Sequence, residues 1–465
     1  MGAVASVRRA ARLAGGLMLV ASPVLTPALA QDIPPRLVFD LGSSLSYDDN
    51  PDLSPTGSDP RLAFDTRLGL TMNNSTPDQT FSAAIKGLAR LEGAGLTLRD
   101  PSATLAYGLV RADSRLSVNL AYQQSDADLF EPQPQADGTL SPTDFLATDG
   151  TITSQSAGLS FATGLQGPLG FDLSVGVSGR DYSDTTDPAV YDSTSQNLSL
   201  GLRLRMPDAA REIGLTASRS ASDYDDIFQT SRQSQDLTLS FAQGLRADLS
   251  LQASLGQGTA SSRQGGVVSS QSSGLTGSIG LQATLPNGTA SVSLSSARDA
   301  VGPRETLRLT RNLDLPTGAL GAELALTARA GQEGQIVGRL TYGIERPTDR
   351  FDVSLSRQIT LNTSNQDVAN TVLGLDYRHQ ITEQSSLGLS LDLTDTRSGS
   401  GGSGGSTGVA GSLRQTVTAS YAQDLAADWQ LTAGYQFRSL DSSTADRADA
   451  NSVYLTISRK FTLRP

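Results

Sequence analysis

The chain has one histidine, His379, and no cysteine, which narrows the chemistry it can perform. Nucleophilic catalysis usually pairs a hydroxyl or thiol with a histidine, and no Ser or carboxylate constellation accompanies His379 along the sequence. Zinc and related metals ask for several His or Cys ligands. The sequence therefore predicts no enzyme, no catalytic residue, no metal centre and no cofactor. Two acidic stretches, Asp48-Asp49-Asn50 and Asp223-Tyr224-Asp225-Asp226, offer hard oxygen ligands of the sort Ca²⁺ takes near lipopolysaccharide. Neither has EF-hand spacing.

A larger set of charges alternates with Ser, Thr, Gly and Asn. It comprises Asp65, Arg67, Lys86, Arg90, Asp172, Arg203, Arg205, Arg308, Glu323, Arg339, Asp376, Arg378 and Asp392. A water-filled pore accounts for such a lining without a specific ligand. The functional alternative is that basic pairs such as Arg203 and Arg205 steer anionic solutes. Segment 126–151 is the longest acidic stretch, with Asp126, Asp128, Glu131, Asp137, Asp144 and Asp149. It is either a constriction loop folded inward or a solvated external loop. Arg311 and Arg357 fall on the opposite, apolar side, where they snorkel to an interface or mark a slip of register.

The elements that position these charges have period two. From Leu37 onward, apolar residues alternate with polar or small ones for ten to fourteen residues, stop, and resume. Leu198, Leu200, Leu202, Leu204 and Met206 form one clean run; Leu387, Leu389, Leu391 and Leu393 form another. Twenty-two such runs are found, among them 36–47, 61–72, 79–91, 102–112, 247–257, 271–285 and 451–461. Strands of soluble sheets usually stop at about five or six residues, whereas a tilted strand crossing a bilayer needs ~10. The predicted fold is all-β: a single transmembrane antiparallel up-and-down barrel of about 22 strands (range about 18–24), over 36–461.

The connections add an independent signal. Asn73-Asn74-Ser75, Gln166-Gly167-Pro168, Pro207-Asp208-Ala209 and Pro286-Asn287-Gly288 have tight-turn composition and follow even-numbered runs. Longer polar segments follow odd-numbered ones: 48–60, 126–151, 183–192, 258–270, 397–410 and 440–450. Ser398 to Ser406 is a Gly/Ser tract, read as a flexible external loop. All turns then lie at one end of the wall and all loops at the other. In outer-membrane barrels the turns are periplasmic, which puts both termini there.

Export is expected from the first thirty residues. Arg8, Arg9 and Arg12 precede an apolar stretch from Leu13 to Leu25, and Ala28-Leu29-Ala30 supplies a small-x-small cleavage site. Residues 31–35 then form a short periplasmic segment and 462–465 a periplasmic tail. Removing the first thirty residues changes 36 cationic against 47 acidic residues to 33 against 47, a net charge of −14. That balance argues against nucleic acid. The expected partners are outer-membrane lipid and lipopolysaccharide, the outer-membrane insertion machinery during assembly, and a polysaccharide or small polar solute. Trp429 opens an ascending run and belongs in a periplasmic-side aromatic girdle, which looks thin at 5% aromatics.

At Ser46-Tyr47-Asp48-Asp49-Asn50-Pro51-Asp52-Leu53 the sequence resembles the opening of a family of predicted β-barrel porins, some of them in gene clusters for exopolysaccharide production and secretion. The resemblance implies a porin-like channel for passive or partner-gated passage, with a link to polysaccharide export. The final run, with Tyr454, Leu455, Ile457, Arg459 and Phe461, resembles the assembly signal of outer-membrane proteins, although four residues follow the terminal aromatic. TonB-dependent transporters share the strand number but carry a large N-terminal plug, and none is expected here. The alternative function is a non-conducting surface scaffold or adhesin acting through its loops.

Overall fold

The computed structural model describes residues 36–92, 95–126, 150–185, 190–206, 210–362, 365–398, 411–425, 428–442 and 445–463. Every strand among them belongs to one sheet. The first eleven are β1 (Arg36–Asp48), β2 (Arg61–Ser75), β3 (Gln79–Glu92), β4 (Gly95–Val110), β5 (Ser114–Asp126), β6 (Thr151–Thr163), β7 (Leu169–Ser183), β8 (Ser193–Met206), β9 (Arg211–Tyr224), β10 (Ser231–Arg246) and β11 (Leu249–Gln264). Then follow β12 (Val267–Leu285), β13 (Gly288–Asp299), β14 (Gly302–Leu315), β15 (Gly318–Arg329), β16 (Gln335–Glu345), β17 (Asp349–Leu361), β18 (Asp367–Thr382), β19 (Ser385–Ser398), β20 (Ser412–Asp424), β21 (Trp429–Ser442) and β22 (Ala445–Leu463).

Each strand pairs antiparallel with the next, and β1 pairs with β22, so the 22-stranded sheet closes on itself. Closure satisfies both edge ladders, which an open sheet would leave unpaired. Odd strands run from the turn end to the loop end, and even strands return. The shortest, β16, has 11 residues. At ~3.3 Å per residue and a tilt near 45° it rises about 25 Å, the height of the apolar band of a membrane barrel.

The expected alternation decides which way each side chain points. Leu198, Leu200, Leu202 and Leu204 are all exposed on the outer surface, as are Leu387 and Leu389. Buried hydrophobic residues form only small clusters, one of Leu53, Ala448 and Ala450 and one around Ile152. The ladder holds the wall together and the apolar side chains face outward; a water-soluble protein would not expose such a continuous belt. Arg311 stays on the outer face without a slip of register, and its Nη2 donates to Asn287 Oδ1 in the β12–β13 turn, 2.5 Å away. That is the snorkelling geometry. Arg357 likewise keeps the alternation of β17, exposed and near the loop end.

The aromatic girdle is better populated than composition suggests. Phe39, Phe81, Tyr107, Phe161, Phe171, Phe241, Tyr342, Phe351, Tyr377, Tyr421, Trp429 and Phe461 all lie on outward positions near the turn end of their strands. Phe39 packs on Phe461 with ring centroids 6.0 Å apart. The Arg459 guanidinium lies 5.6 Å from the Trp429 centroid and 4.6 Å from that of Phe461. Few aromatics suffice because half of them stand at one level of the wall.

Three stretches outside the predicted runs are largely strand instead. β11 and β12 continue through 258–270 and meet at Gly265-Gly266, whose φ angles of 56° and 81° suit a two-residue hairpin turn. β21 and β22 pair up to Ser442 and Ala445, and β3 and β4 up to Glu92 and Gly95. β4 carries Pro101 after Asp100, whose φ is 47°, and its pairing with β3 shifts between Lys86 and Leu88. At the turn end, β22 runs through Leu463, which pairs with Leu37, so Thr462 and Leu463 belong to the wall and not to a tail.

Candidate functional site

The site is the lumen. Inward positions alternate with the apolar ones, and they bring the predicted lining together as follows. Asp65 and Arg90 form a bidentate pair, with Nε to Oδ1 at 2.6 Å and Nη2 to Oδ2 at 2.9 Å. Asp172 pairs with Arg203. Arg205 lies 3.1 Å from Glu212 and donates to the carbonyls of Gly164 and Leu165 at 2.7 and 2.9 Å. It thereby holds the β6–β7 turn, and both arginines of this pair already have carboxylate partners.

Arg308 meets Glu323 diagonally at 3.1 Å, and Arg339 stands opposite Glu323 in register. Asp376 faces Asp352, and Arg378 faces Arg350. Like charges directly opposite repel, but the diagonals of this block bring unlike charges together. Arg350 also bonds Asp352 on its own strand at 2.7 Å. Asp392 faces Gly374 and Thr416. Arg67 and Lys86 line a cavity of about 890 Å³ between β1–β4 and β21–β22.

Of the expected constriction loop, Asp126 ends β5, with Arg99 Nη1 3.8 Å away. Asp128, Glu131 and Asp137 lie outside the described residues. Another contact crosses the loop end. The Arg232 Nη1 of β10 donates to the Leu361 carbonyl at 3.0 Å, and its Nη2 to the Asn362 carbonyl and to Asn365 Oδ1. Asn365, with φ of 60°, reaches Ser270 of β12 at 3.3 Å. Beside this bridge, Asp367 of β18 accepts from Arg304 at 2.6 Å and from Arg329 at 3.4 Å, while Arg329 also pairs with Asp299. Six strands separate β10 from β17, so the walls approach each other there.

Protein groups occupy the acidic stretches, the first from across the sheet and the second from within its own loop. Asp48 takes Arg438 at 2.8 Å. Asp49 accepts from the Asn451 backbone N–H at 2.6 Å and from its Nδ2 at 2.9 Å. Asn50 donates to the Ser54 and Asp449 carbonyls, both at 2.9 Å. The motif that carries the porin resemblance is thus a clasp between the first strand and the last two. Asp226 accepts from the Thr230 N–H and hydroxyl at 2.7 and 2.8 Å. Among the described residues no group of His, Cys, Asp or Glu could hold a metal ion.

His379 does gain partners that the sequence did not reveal. Register sets it opposite Asp349, with Nδ1 2.8 Å from Oδ1, and Tyr377 donates to the same oxygen at 2.9 Å. The group sits on the outer wall in the girdle, away from the lumen. Arg232, Arg304, Arg329, Arg438, Asp40 and Lys460 were also missed as lumenal residues. Parity alone would have found Asp40, which shares its face with Gly42, Ser44 and Ser46, and Lys460, which shares its face with Tyr454 and Thr456.

No protein-family model matches this sequence, and no curated protein does. Solved structures do. One is the FrpB iron transporter from Neisseria meningitidis, at TM-score 0.56 and 10% identity, with 93% of this chain and 82% of that one covered. A second is the ferric-catecholate import receptor Fiu from E. coli K12, at 0.53 and 11%, covering 91% and 81%. A third is BauA, the ferric preacinetobactin receptor from Acinetobacter baumannii, at 0.52 and 12%, covering 93% and 80%. At such identities the likeness is one of fold: the chain shares the wide, closed antiparallel barrel of these iron-import proteins.

Proposed function

We propose that the chain is an integral outer-membrane pore that passes polar solutes, exported with its first thirty residues removed and inserted with both termini periplasmic. The observation that carries this reading is the pairing of an outward apolar belt with a charged, hydroxyl-rich lumen that includes a cavity of about 890 Å³. Lipid would contact the belt, and water and solute the lumen. A link to polysaccharide passage rests on the resemblance at Ser46–Leu53 alone.

A second reading, a non-conducting surface scaffold, is favoured by the Arg232 bridge at the loop end. Planar-bilayer recording of the purified chain separates the two. Steady conductance is the expected result, and silence at every voltage would leave the scaffold.

A further inference from the structure

We propose that the lumen wall across the β22–β1 seam carries an oxyanion-binding recess formed by Lys460, Lys86 and Arg67 over a floor of Gly42 and Gly69. This deepens the pore reading and rests on it for biological purpose, though not for its test.

The chain has two lysines in all, Lys86 and Lys460, and both line the same cavity. Register places them in one row. Lys460 of β22 stands opposite Asp40 of β1, Asp40 opposite Gly69 of β2, and Gly69 opposite Lys86 of β3. One level away, Ser458 faces Gly42 and Gly42 faces Arg67. The two glycines add no side chain of their own between the cations. A Cβ at Gly69 would stand 3.3 Å from Asp40 Cβ and 3.6 Å from Lys86 Cγ, so side chains close over that position from both sides.

Lys86, Lys460 and Arg67 are exposed to the lumen, and none has an ion-pair partner among the described residues. Their neighbours differ. Arg90 and Arg438, in the same cavity, hold Asp65 and Asp48. Asp40 lies between the lysines without pairing to either, and its Oδ1 is buried with no hydrogen-bond partner. Three cations around one carboxylate leave a net positive spot in an acidic chain. Two ammonium groups and a guanidinium, eleven N–H donors in total, suit a carboxylate or phosphate group, whose oxygens accept several such bonds at once. Ser458 and Ser44 add hydroxyl donors on the same wall.

The rarity of lysine makes the test direct. Full-length purified protein in detergent is reductively dimethylated with ¹³C, which keeps the lysine charge. The two lysine signals are assigned with Lys86→Arg and Lys460→Arg. Inorganic phosphate, acetate and chloride are titrated in turn at constant ionic strength. The expected result is a saturable shift of both signals by phosphate or by acetate, the responding anion naming the ligand class, with chloride inert. Arg67→Gln should weaken that response about tenfold or more, the weight of one charge-assisted bond. Calorimetry on unmodified protein against Lys86→Gln/Lys460→Gln repeats the comparison without methylation. Shifts that fail to saturate, or that chloride matches, overturn the recess. Because nothing here depends on current, a silent barrel can still bind, and a conducting barrel with unmoved lysines keeps the pore reading while losing the recess.

Discussion

Arg232 on β10 donates from Nη1 to the Leu361 carbonyl at the end of β17, 3.0 Å away, tying together two strands that no ladder connects. Arg232→Ala removes this bond and the Nη2 bonds to Asn362 and Asn365. Bonds from a charged donor are worth ~1.5–3 kcal/mol each when well formed. The barrel ladder is untouched, so heat-modifiable gel migration should stay the same. Single-channel conductance should rise, and Leu361, Asn362 and residues 365–367 should exchange amide hydrogens faster. Unchanged conductance with unchanged exchange would mean that the bridge does not narrow the lumen.

The Asp65–Arg90 pair makes a separable prediction. Asp65 is 5% exposed and holds the arginine bidentately. Asp65→Ala strands a largely buried guanidinium, a loss of about 3–5 kcal/mol for pairs of this kind. Replacing both residues, as Asp65→Leu with Arg90→Met, should restore most of the loss, since well-packed apolar substitutes are often neutral. The unfolding midpoint in denaturant, measured in detergent, reads both variants. A double variant no better than the single would show that the pair does more than neutralise itself.

Much of this architecture is legible in the sequence because lipid and water impose different demands on alternate residues. Where a strand has lipid on one face, the period of two survives, and the run from Leu198 to Met206 ends where β8 ends. Where strands rise clear of the belt, water bathes both faces and the pattern vanishes; 258–264, 267–270, 440–442 and 445–450 therefore look like loops although they lie in paired strands. The lumen is legible by parity but not by partner. Asp65 and Arg90 are 25 residues apart, and Arg304 and Asp367 are 63 apart, separations that only the register and the closing of the loop end bring together. His379 and Asp349 show the same limit, since their contact follows from the β17–β18 pairing.

Gly434 and Tyr454 offer a steric test of the β21–β22 pairing. They are register partners on β21 and β22, and the tyrosine ring lies over the glycine, in space that a Cβ would enter. Gly434→Ala must push the ring aside, an overpacking cost of roughly 1–3 kcal/mol. Tyr454→Ser in the same chain should relieve it, so the double variant should unfold at higher denaturant than Gly434→Ala alone. Equal midpoints would show that the ring turns away at no cost.

The clasp between Asp49 and Asn451 should make the β1–β2 loop sensitive to acid. The Asn451 backbone N–H, then its side-chain amide, hold the Asp49 carboxyl below its ordinary value. A carboxylate depressed in the folded state contributes stability that is full above the unfolded value, about 3.9, and is lost as pH falls through the lower folded value. Limited proteolysis at residues 50–60 should therefore be constant from pH 7 down to about 4 and accelerate below it. Asp49→Asn should bring the faster cleavage to neutral pH, because the amide presents a single acceptor oxygen where the carboxylate offered two to the backbone N–H and the Nδ2 group. A wild-type rate that stays flat down to pH 2.5, or an Asp49→Asn variant that still changes with pH, would show that the loop is held by Asp48 and Asn50 without help from this contact.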